Sequence, residues 1–288
     1  MSPEPHGEPR NRWSDLERPP LQETALRGAL VRHDTLWTSL DVVETVGSTN
    51  TALAERVRSG DARQGAVLVA EEQTAGRGRL ERGWTAPARS GIFVSVVLEP
   101  TPPLERWGWL PLLTGVAAAS ALARSAGVDT LLKWPNDLLT EIDDEERKIG
   151  GILAERAGDM VVVGLGLNVS LRAEELPVPQ AGSLALAGAP GTDRDPLLRA
   201  LLRSVELWYG RWRDADGDPA ACGLLEAYAA GCATLGRDVR AELPGGETLT
   251  GEAVAVDGDG RLVLATAEGI QSPVGAGDIV HLRPAGEE

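Results

Sequence analysis

Glu72-Gln73-Thr74-Ala75-Gly76-Arg77-Gly78-Arg79-Leu80-Glu81-Arg82-Gly83-Trp84 interleaves glycines with arginines and ends on a tryptophan. The stretch 73–88 has no apolar period of either helix or strand and reads as a loop. Glycine lets a backbone approach a ligand closely and leaves its N–H groups free. Arginine forks suit carboxylate and phosphate oxygens, and an indole offers a flat apolar face to a base. Composition alone leaves three readings open: an anion-binding loop, an RNA-binding run and a flexible surface loop. The net charge of −15 and the single short run argue against RNA. A Walker A loop is absent. Gly164-x-Gly166 is not a dinucleotide fingerprint, because it lies in a strand-like run and is followed by Asn168-Val169.

Around this loop the chain mixes strands and helices. Residues 41–46, 66–70 and 92–98 read as strands. Ser48 or Thr49 caps a helix over 50–59 that Gly60 ends, and an Ala/Leu helix over 109–125 stops at Gly127. Short strands follow over 131–134, 138–142, 149–155 and 160–168, with 143–147 a charged hairpin tip. Residues 181–195 read as a Gly/Ala/Pro connector, and 195–212 and 219–230 as helices. Beyond Cys232 the pattern becomes short strands (237–242, 249–256, 262–265, 279–282) separated by Gly-rich turns, which suggests a small β-barrel. At the other end, residues 1–20 are Pro-rich and charged and read as a disordered tail; a short helix is expected over 21–33. The organisation expected is thus a tail over 1–20, a main domain over 36–230 and a small domain over 232–285.

The 288 residues are 42% hydrophobic, enough for a sizeable core. No apolar run reaches bilayer length and no signal-peptide core is seen, so a cytoplasmic protein without membrane attachment is expected. The segment before residue 36 is too short and not basic enough for a DNA-binding head, so no DNA partner is expected. Cys222 and Cys232 lack metal or redox spacing and read as buried thiols. Arginine supplies all but two of the basic residues. The two lysines are Lys133, in Leu-Lys-Trp-Pro-Asn-Asp, and Lys148, in Arg-Lys-Ile-Gly-Gly. A compact ammonium is not equivalent to a planar fork, so these positions call for a point charge, or are chance survivors of an Arg-rich background.

Five segments, in order, resemble the motifs of biotin–protein ligases: Ser48-Thr49-Asn50; Gln73-Thr74-Ala75-Gly76-Arg77-Gly78-Arg79; Lys133-Trp134-Pro135-Asn136-Asp137; Lys148-Ile149-Gly150-Gly151-Ile152-Leu153-Ala154-Glu155; and Gly164-x-Gly166-x-Asn168-Val169. The resemblance covers about residues 36–285 and is to the single-function branch, without a repressor head. It implies an α+β fold: a mixed β-sheet backed by helices, of the class II synthetase and biotin ligase kind, with a small C-terminal SH3-like β-barrel. It also implies an activity. Biotin's carboxylate is activated by ATP, with Mg2+, to biotinyl-5'-AMP and passed to a lysine of a biotin carboxyl carrier protein domain, by a monomer or homodimer.

By the same resemblance, Ser48, Thr49, Asn50 and Gln73 face the ureido end of biotin, although Ser48 and Thr49 also suit a helix cap. Gly76, Gly78, Gly150 and Gly151 give backbone access to biotin. Arg77 and Arg79 hold the biotin carboxylate and the ATP phosphates, and Arg82 assists. Two such anions repel by several kcal/mol at an effective dielectric near 20, and positive groups remove that barrier. Lys148 is the first choice for the catalytic cation, with a surface lysine on a charged hairpin as the alternative. Trp84 packs on adenine or anchors the loop, and Asn136 lines the ATP site. Asn168 contacts adenosine or caps a strand end. Lys133 faces ATP or is a structural partner of Asp137, which orients magnesium or the acceptor amine. Gly83 stands where some relatives carry a basic residue, leaving one charge fewer on the loop. The three histidines, His6, His33 and His281, lie outside every motif, so no covalent enzyme intermediate is expected. Among competing functions, a lipoate or octanoate ligase or transferase shares the fold, and a biotin-responsive regulator or a scaffold would need no catalytic loop.

Overall fold

A computed structural model describes residues 17–243, 246–275 and 278–281. The elements in chain order are α1 (Glu23–Leu30), β1 (Ser39–Val46), α2 (Thr49–Ser59), β2 (Ala66–Gln73), β3 (Gly76–Arg77), β4 (Gly83–Trp84), β5 (Gly91–Leu98), α3 (Trp109–Ala126), β6 (Leu131–Lys133), β7 (Asp137–Ile142), β8 (Glu145–Ala157), β9 (Met160–Asn168), α4 (Arg194–Asp214), α5 (Leu224–Gly231) and β10–β14 (Asp238–Glu242, Thr248–Val256, Leu262–Ala265, Gln271–Val274, Asp278–His281).

Seven strands form one mixed sheet in the order β1-β2-β5-β9-β8-β7-β6. β1 and β2 run parallel around α2, and the other pairings are antiparallel. Strand side chains alternate between faces, and the two faces bury different partners. Val67, Val69, Val94, Val96, Val163 and Leu165 join the main core with α3 and α4. Leu68, Val97, Val162 and Ala157 point to the other side, where Leu53 and Ala54 of α2 cover them. The helix α2 is short, because Gly60 (φ 84°) ends it, and the residues before Thr49 turn back toward β1. Thr49 and Asn50 at the start of α2 still cover Ser95 and Gly164, and beyond them the same face continues without helical cover over Gly151 and Gly166.

Five antiparallel strands in the order β13-β12-β11-β10-β14 build the SH3-like C-terminal unit. It grips the sheet domain through tryptophans. The Trp134 indole donates to Gly260 O (3.0 Å) and the Trp109 indole to Gly258 O (3.0 Å). The Trp134 backbone N–H donates to Thr234 Oγ1 (3.1 Å). Arg237 donates to Glu146 on β8 (3.0 Å) and to His281 Nδ1 (3.0 Å). Arginine can only donate, so Nδ1 accepts, and the ring proton sits on Nε2, facing Thr234 Oγ1 at 3.1 Å. Burial first, then Lys133 and Arg237, push the His281 pKa down to about 4.

Several sequence expectations change. The helix expected over 219–230 begins only at Leu224: Asp218 accepts from the N–H groups of Ala220 and Ala221, and Gly223 (φ 75°) sets a turn. The hairpin tip expected over 143–147 shrinks to Asp143-Asp144, both with positive φ, as a two-residue turn needs. β13 has no counterpart in the sequence reading, because Ser272-Pro273 interrupts its pattern. The tail expected over 1–20 lies outside the described residues for 1–16, and its last four residues pack against the sheet domain. Cys232 is buried and Cys222 half-buried, both free thiols. Among the described residues no helix is long and apolar enough to cross a membrane.

Candidate active site

The uncovered part of the sheet face is floored by glycine. A Cβ on Gly166 would lie 2.8 Å from Trp84 Cε2, and one on Gly151 3.2 Å from Trp84 Cζ3, so the indole rests on bare backbone of β8 and β9. The loop that delivers Trp84 is a small hairpin in which Gly76 pairs with Trp84 and Arg77 with Gly83. Gly76 must lack a side chain, since its Cβ would meet Trp84 O at 2.3 Å. Residues Arg79–Glu81 make one 3-10 turn, with Leu80 left-handed (φ 53°) and exposed. The loop, the start of α2 and the glycine floor line an open cavity.

One end of the cavity is polar and saturated. Thr49 donates its N–H (2.8 Å) and its hydroxyl (3.1 Å) to Gln73 Oε1. Ser95 Oγ lies 2.8 Å from Thr49 Oγ1 and 2.7 Å from Asn50 Oδ1. Asn50 Nδ2 donates to Leu153 O (3.0 Å) and Glu155 Oε2 (2.9 Å). Asn50 is therefore tied to the scaffold through both ends of its amide. Ser48 is the N-cap of α2 by position but makes no capping bond through its side chain. Its hydroxyl and the Gln73 amide group are what this end presents to the cavity.

The other end is charged. Lys148 Nζ pairs with Asp137 Oδ1 at 2.6 Å and lies 5.7 Å from the Trp84 ring centroid. Arg79 Nη1 donates to Asn136 Oδ1 (3.3 Å), and Asn136 Nδ2 to Ile152 O (2.9 Å). Burial lowers the Arg79 pKa and Asp137 opposes that shift, yet a guanidinium keeps its charge. Arg77 pairs with Glu155 at 2.9 Å instead of turning toward the charged end. A second cavity adjoins the first and shares Arg82, Gly83, Trp84 and Lys148 with it. Its far wall is Asn168, Pro177, Val178, Gln180 and Ala181. Asn168 is buried; its Nδ2 donates to Gly182 O (2.9 Å), while its Oδ1 has no hydrogen-bond partner.

Residues 42–168 match the model of the biotin/lipoate A/B protein ligase family, and residues 234–282 match the biotin protein ligase C-terminal domain. A biotin--[acetyl-CoA-carboxylase] ligase of Mycobacterium tuberculosis is 44% identical over 273 residues, which are 93% of this chain and 98% of the relative. The chain belongs to the biotin/lipoate A/B protein ligase family. Other members carry more: the bifunctional ligase/repressor BirA of Bacillus subtilis is 32% identical over 80% of this chain and 70% of its own length. Among solved members, the biotin protein ligase from Aquifex aeolicus in complex with biotin and ATP superposes with a TM-score of 0.69 at 27% identity. That match covers 86% of this chain and all of the other.

Of the family positions read from the sequence, the structure gathers Ser48, Thr49, Asn50, Gln73, Arg77, Gly78, Arg79, Arg82, Trp84, Asn136, Asp137, Lys148 and Gly151 around the first cavity. Gly76 supports the hairpin from behind. Gly150 faces away from the cavity, because its Cβ would meet Gly166 O and Leu138 at 3.0 Å. Lys133 does not pair with Asp137, which holds Lys148 instead. It lies toward the C-terminal unit, where burial lowers its pKa, Asp137 and Glu146 raise it, and Lys148 and Arg237 lower it. The connector expected over 181–195 contributes to the second cavity through Ala181. The preceding residues run beside β8, with Lys148 N–H donating to Gln180 O and Gly182 N–H to Lys148 O, both at 2.8 Å. The sequence reading missed Ser95, which no local signal distinguishes from a buried strand serine. It also missed the role of Glu155, whose place at the end of a quoted motif was a usable hint.

Proposed function

We propose that the chain catalyses ATP-dependent biotinylation of a specific lysine on the biotin carboxyl carrier protein domain of a carboxylase, by way of biotinyl-5'-AMP. The observation that carries this reading is the shared wall: Lys148, Trp84, Arg82 and Gly83 line both cavities, so an acid in the first and a nucleotide in the second meet at the ammonium. The Ser48 hydroxyl and the Gln73 amide offer a donor and acceptor set suited to a ureido ring. Asn168, on the wall of the second cavity, suits contact with the nucleotide.

In the first step a carboxylate oxygen of biotin attacks the α-phosphorus of ATP, the bond to the bridging oxygen breaks, and pyrophosphate leaves. Lys148 and Arg79 offset the charge that builds between the two anions, and Arg82 faces the departing side. In the second step the acceptor ε-amine attacks the acyl carbon, AMP leaves with the bonding pair, and the amine loses a proton. Asp137 is the carboxylate on the cavity wall and is suited to orient that amine. Magnesium binds chiefly through substrate phosphates with one or two carboxylates, and Asp137 fits as its protein ligand; bound there, it would neutralise the triphosphate.

Lipoate activation is the reading to test against. Biotin, not lipoate, is expected to drive exchange of labelled pyrophosphate into ATP, and a carrier domain is expected to gain the mass of one biotinyl group. Lipoate-dependent exchange without biotin-dependent exchange refutes the proposal.

A further inference from the structure

The described residues before α1 are tied to the sheet domain. Glu17–Gln22 form a strap across the back of the sheet domain. The Arg18 guanidinium donates to Ser170 O (3.0 Å) and pairs with Glu175. Arg172 pairs with Glu17 at 2.5 Å. The Arg18 guanidinium, followed by the Arg172 backbone N–H, holds the Glu175 carboxyl below its usual range. Further along, Leu21 N–H donates to Glu71 Oε1 (2.6 Å), and Gln22 N–H to Asp195 Oδ1 (3.1 Å).

Glu71 is one half of a buried ion pair. Arg194 Nη1 lies 2.6 Å from Glu71 Oε2, with side chains 4% and 7% exposed. The same guanidinium donates to Pro19 O (2.7 Å) and Gly91 O (3.3 Å). Buried charge persists only when its remaining donors and acceptors are met, and here the strap's own backbone meets two of them.

Both anchors converge on one residue. Gly91, held by Arg194, is the strand partner of Asn168. Ser170, held by Arg18, lies two residues beyond Asn168, and Ser90 O takes the N–H groups of Val169 and Ser170 (3.0 and 2.8 Å). Glu175, the other partner of Arg18, ends the 3-10 turn Ala173–Glu175 that leads into Pro177–Ala181, the far wall of the second cavity. The strap thus fixes the end of β9 and the root of that wall, while β8 fixes the wall's other end.

We propose that the strap is part of the nucleotide site, with Arg18 a positioning residue that sets Asn168 and the wall after it for ATP. The proposal rests on the reading of the second cavity as the ATP site. A segment that the sequence reads as a disordered tail over 1–20 is therefore divided: residues beyond Glu17 contribute to catalysis through ATP affinity.

The test uses the full chain and four variants, each checked for folding by its thermal melt. Arg18→Ala is expected to raise the KM for ATP about fivefold and to leave the KM for biotin within about twofold, since the charge-assisted contacts to Ser170 and Glu175 are lost beside the nucleotide cavity alone. Arg18→Lys, which keeps a donor and a charge, is expected to restore most of the ATP affinity. Deleting residues 1–16 is expected to change neither constant. Asn168→Ala is expected to raise the KM for ATP by itself. An Asn168→Ala effect without an Arg18→Ala effect overturns the strap's role alone. An equal rise in both constants for Arg18→Ala reduces the strap to general stability and overturns it too. No effect of Asn168→Ala removes the nucleotide reading and the proposal with it.

Discussion

Replacing Lys148 with alanine separates chemistry from folding. The lysine is 37% exposed in its side chain, and its one ion pair, to Asp137, is partly solvated. Pairs of that kind contribute about 1 kcal/mol or less, so the fold should hold. Its catalytic contribution is larger. An ammonium about 4 Å from a developing charge, at an effective dielectric near 20, is worth about 4 kcal/mol. Arg79 and Arg82 on the same cavity wall recover part of that, leaving roughly 3 kcal/mol, or about a hundredfold in rate. Biotin-dependent exchange of pyrophosphate into ATP reads the first step alone, and aminolysis of presynthesised biotinyl-5'-AMP reads the second. Exchange should fall at least about a hundredfold and aminolysis much less. Exchange within about threefold of the parent enzyme would show that the ammonium does not bear on the first barrier, and the argument from the shared wall would fail.

Gly166→Ala puts a methyl 2.8 Å from Trp84 Cε2, so the indole must move; kcat/KM is expected to fall roughly tenfold with a near-normal melt, and unchanged kinetics would deny Trp84 its place in the site. Asn50→Asp sets a carboxylate against Glu155 and Leu153 O, both acceptors, and should destabilise the fold by about 3 kcal/mol in urea titration; a loss under 1 kcal/mol, roughly, would contradict the scaffold role. His281 has a folded pKa of about 4, below its unfolded value, so the neutral ring's stabilisation is complete above about pH 6.5 and is lost as pH falls toward 4. Denaturant titrations should show the parent losing up to about 3 kcal/mol more than His281→Gln between pH 7 and pH 4, and parallel curves would refute the assignment.

What the sequence made legible follows from where the constraint lies. Gly76, Gly151 and Gly166 are demanded by backbone and indole approaching to contact, and Gly164 by the Asn50 side chain; such demands leave glycines that can be read without a structure. Alternating Val and Leu likewise announced β2, β5 and β9. Networks made of ordinary polar residues leave no such mark. Ser95, Glu155 and Arg194 are defined by partners 45, 78 and 123 residues away, and no window of sequence contains both ends. Residues 17–20, at the end of the expected tail, depart from that reading for the same reason: Pro-rich charge reads as solvated chain until Arg194 is seen to hold the Pro19 carbonyl.

The site holds several cations near one another, and an unpaired cluster of this kind would repel itself. The structure answers with carboxylates of its own. Lys148 has Asp137, and Arg77 has Glu155. Substrate anions therefore exchange with existing partners, and the ease of exchange depends on what else each carboxylate holds. Glu155 also accepts from Asn50, which is itself fixed to Leu153 O and Ser95, so the Arg77–Glu155 pair is tied into the floor of the cavity. Asp137 has no such tether among the described residues, and the Lys133 charge nearby compensates it when Lys148 turns to a phosphate. Arg77 and Arg79, equal in the sequence, are thereby unequal in the fold: Arg77 latches the loop to β8, while Arg79 lies beside Asn136 and Asp137 at the charged end of the cavity.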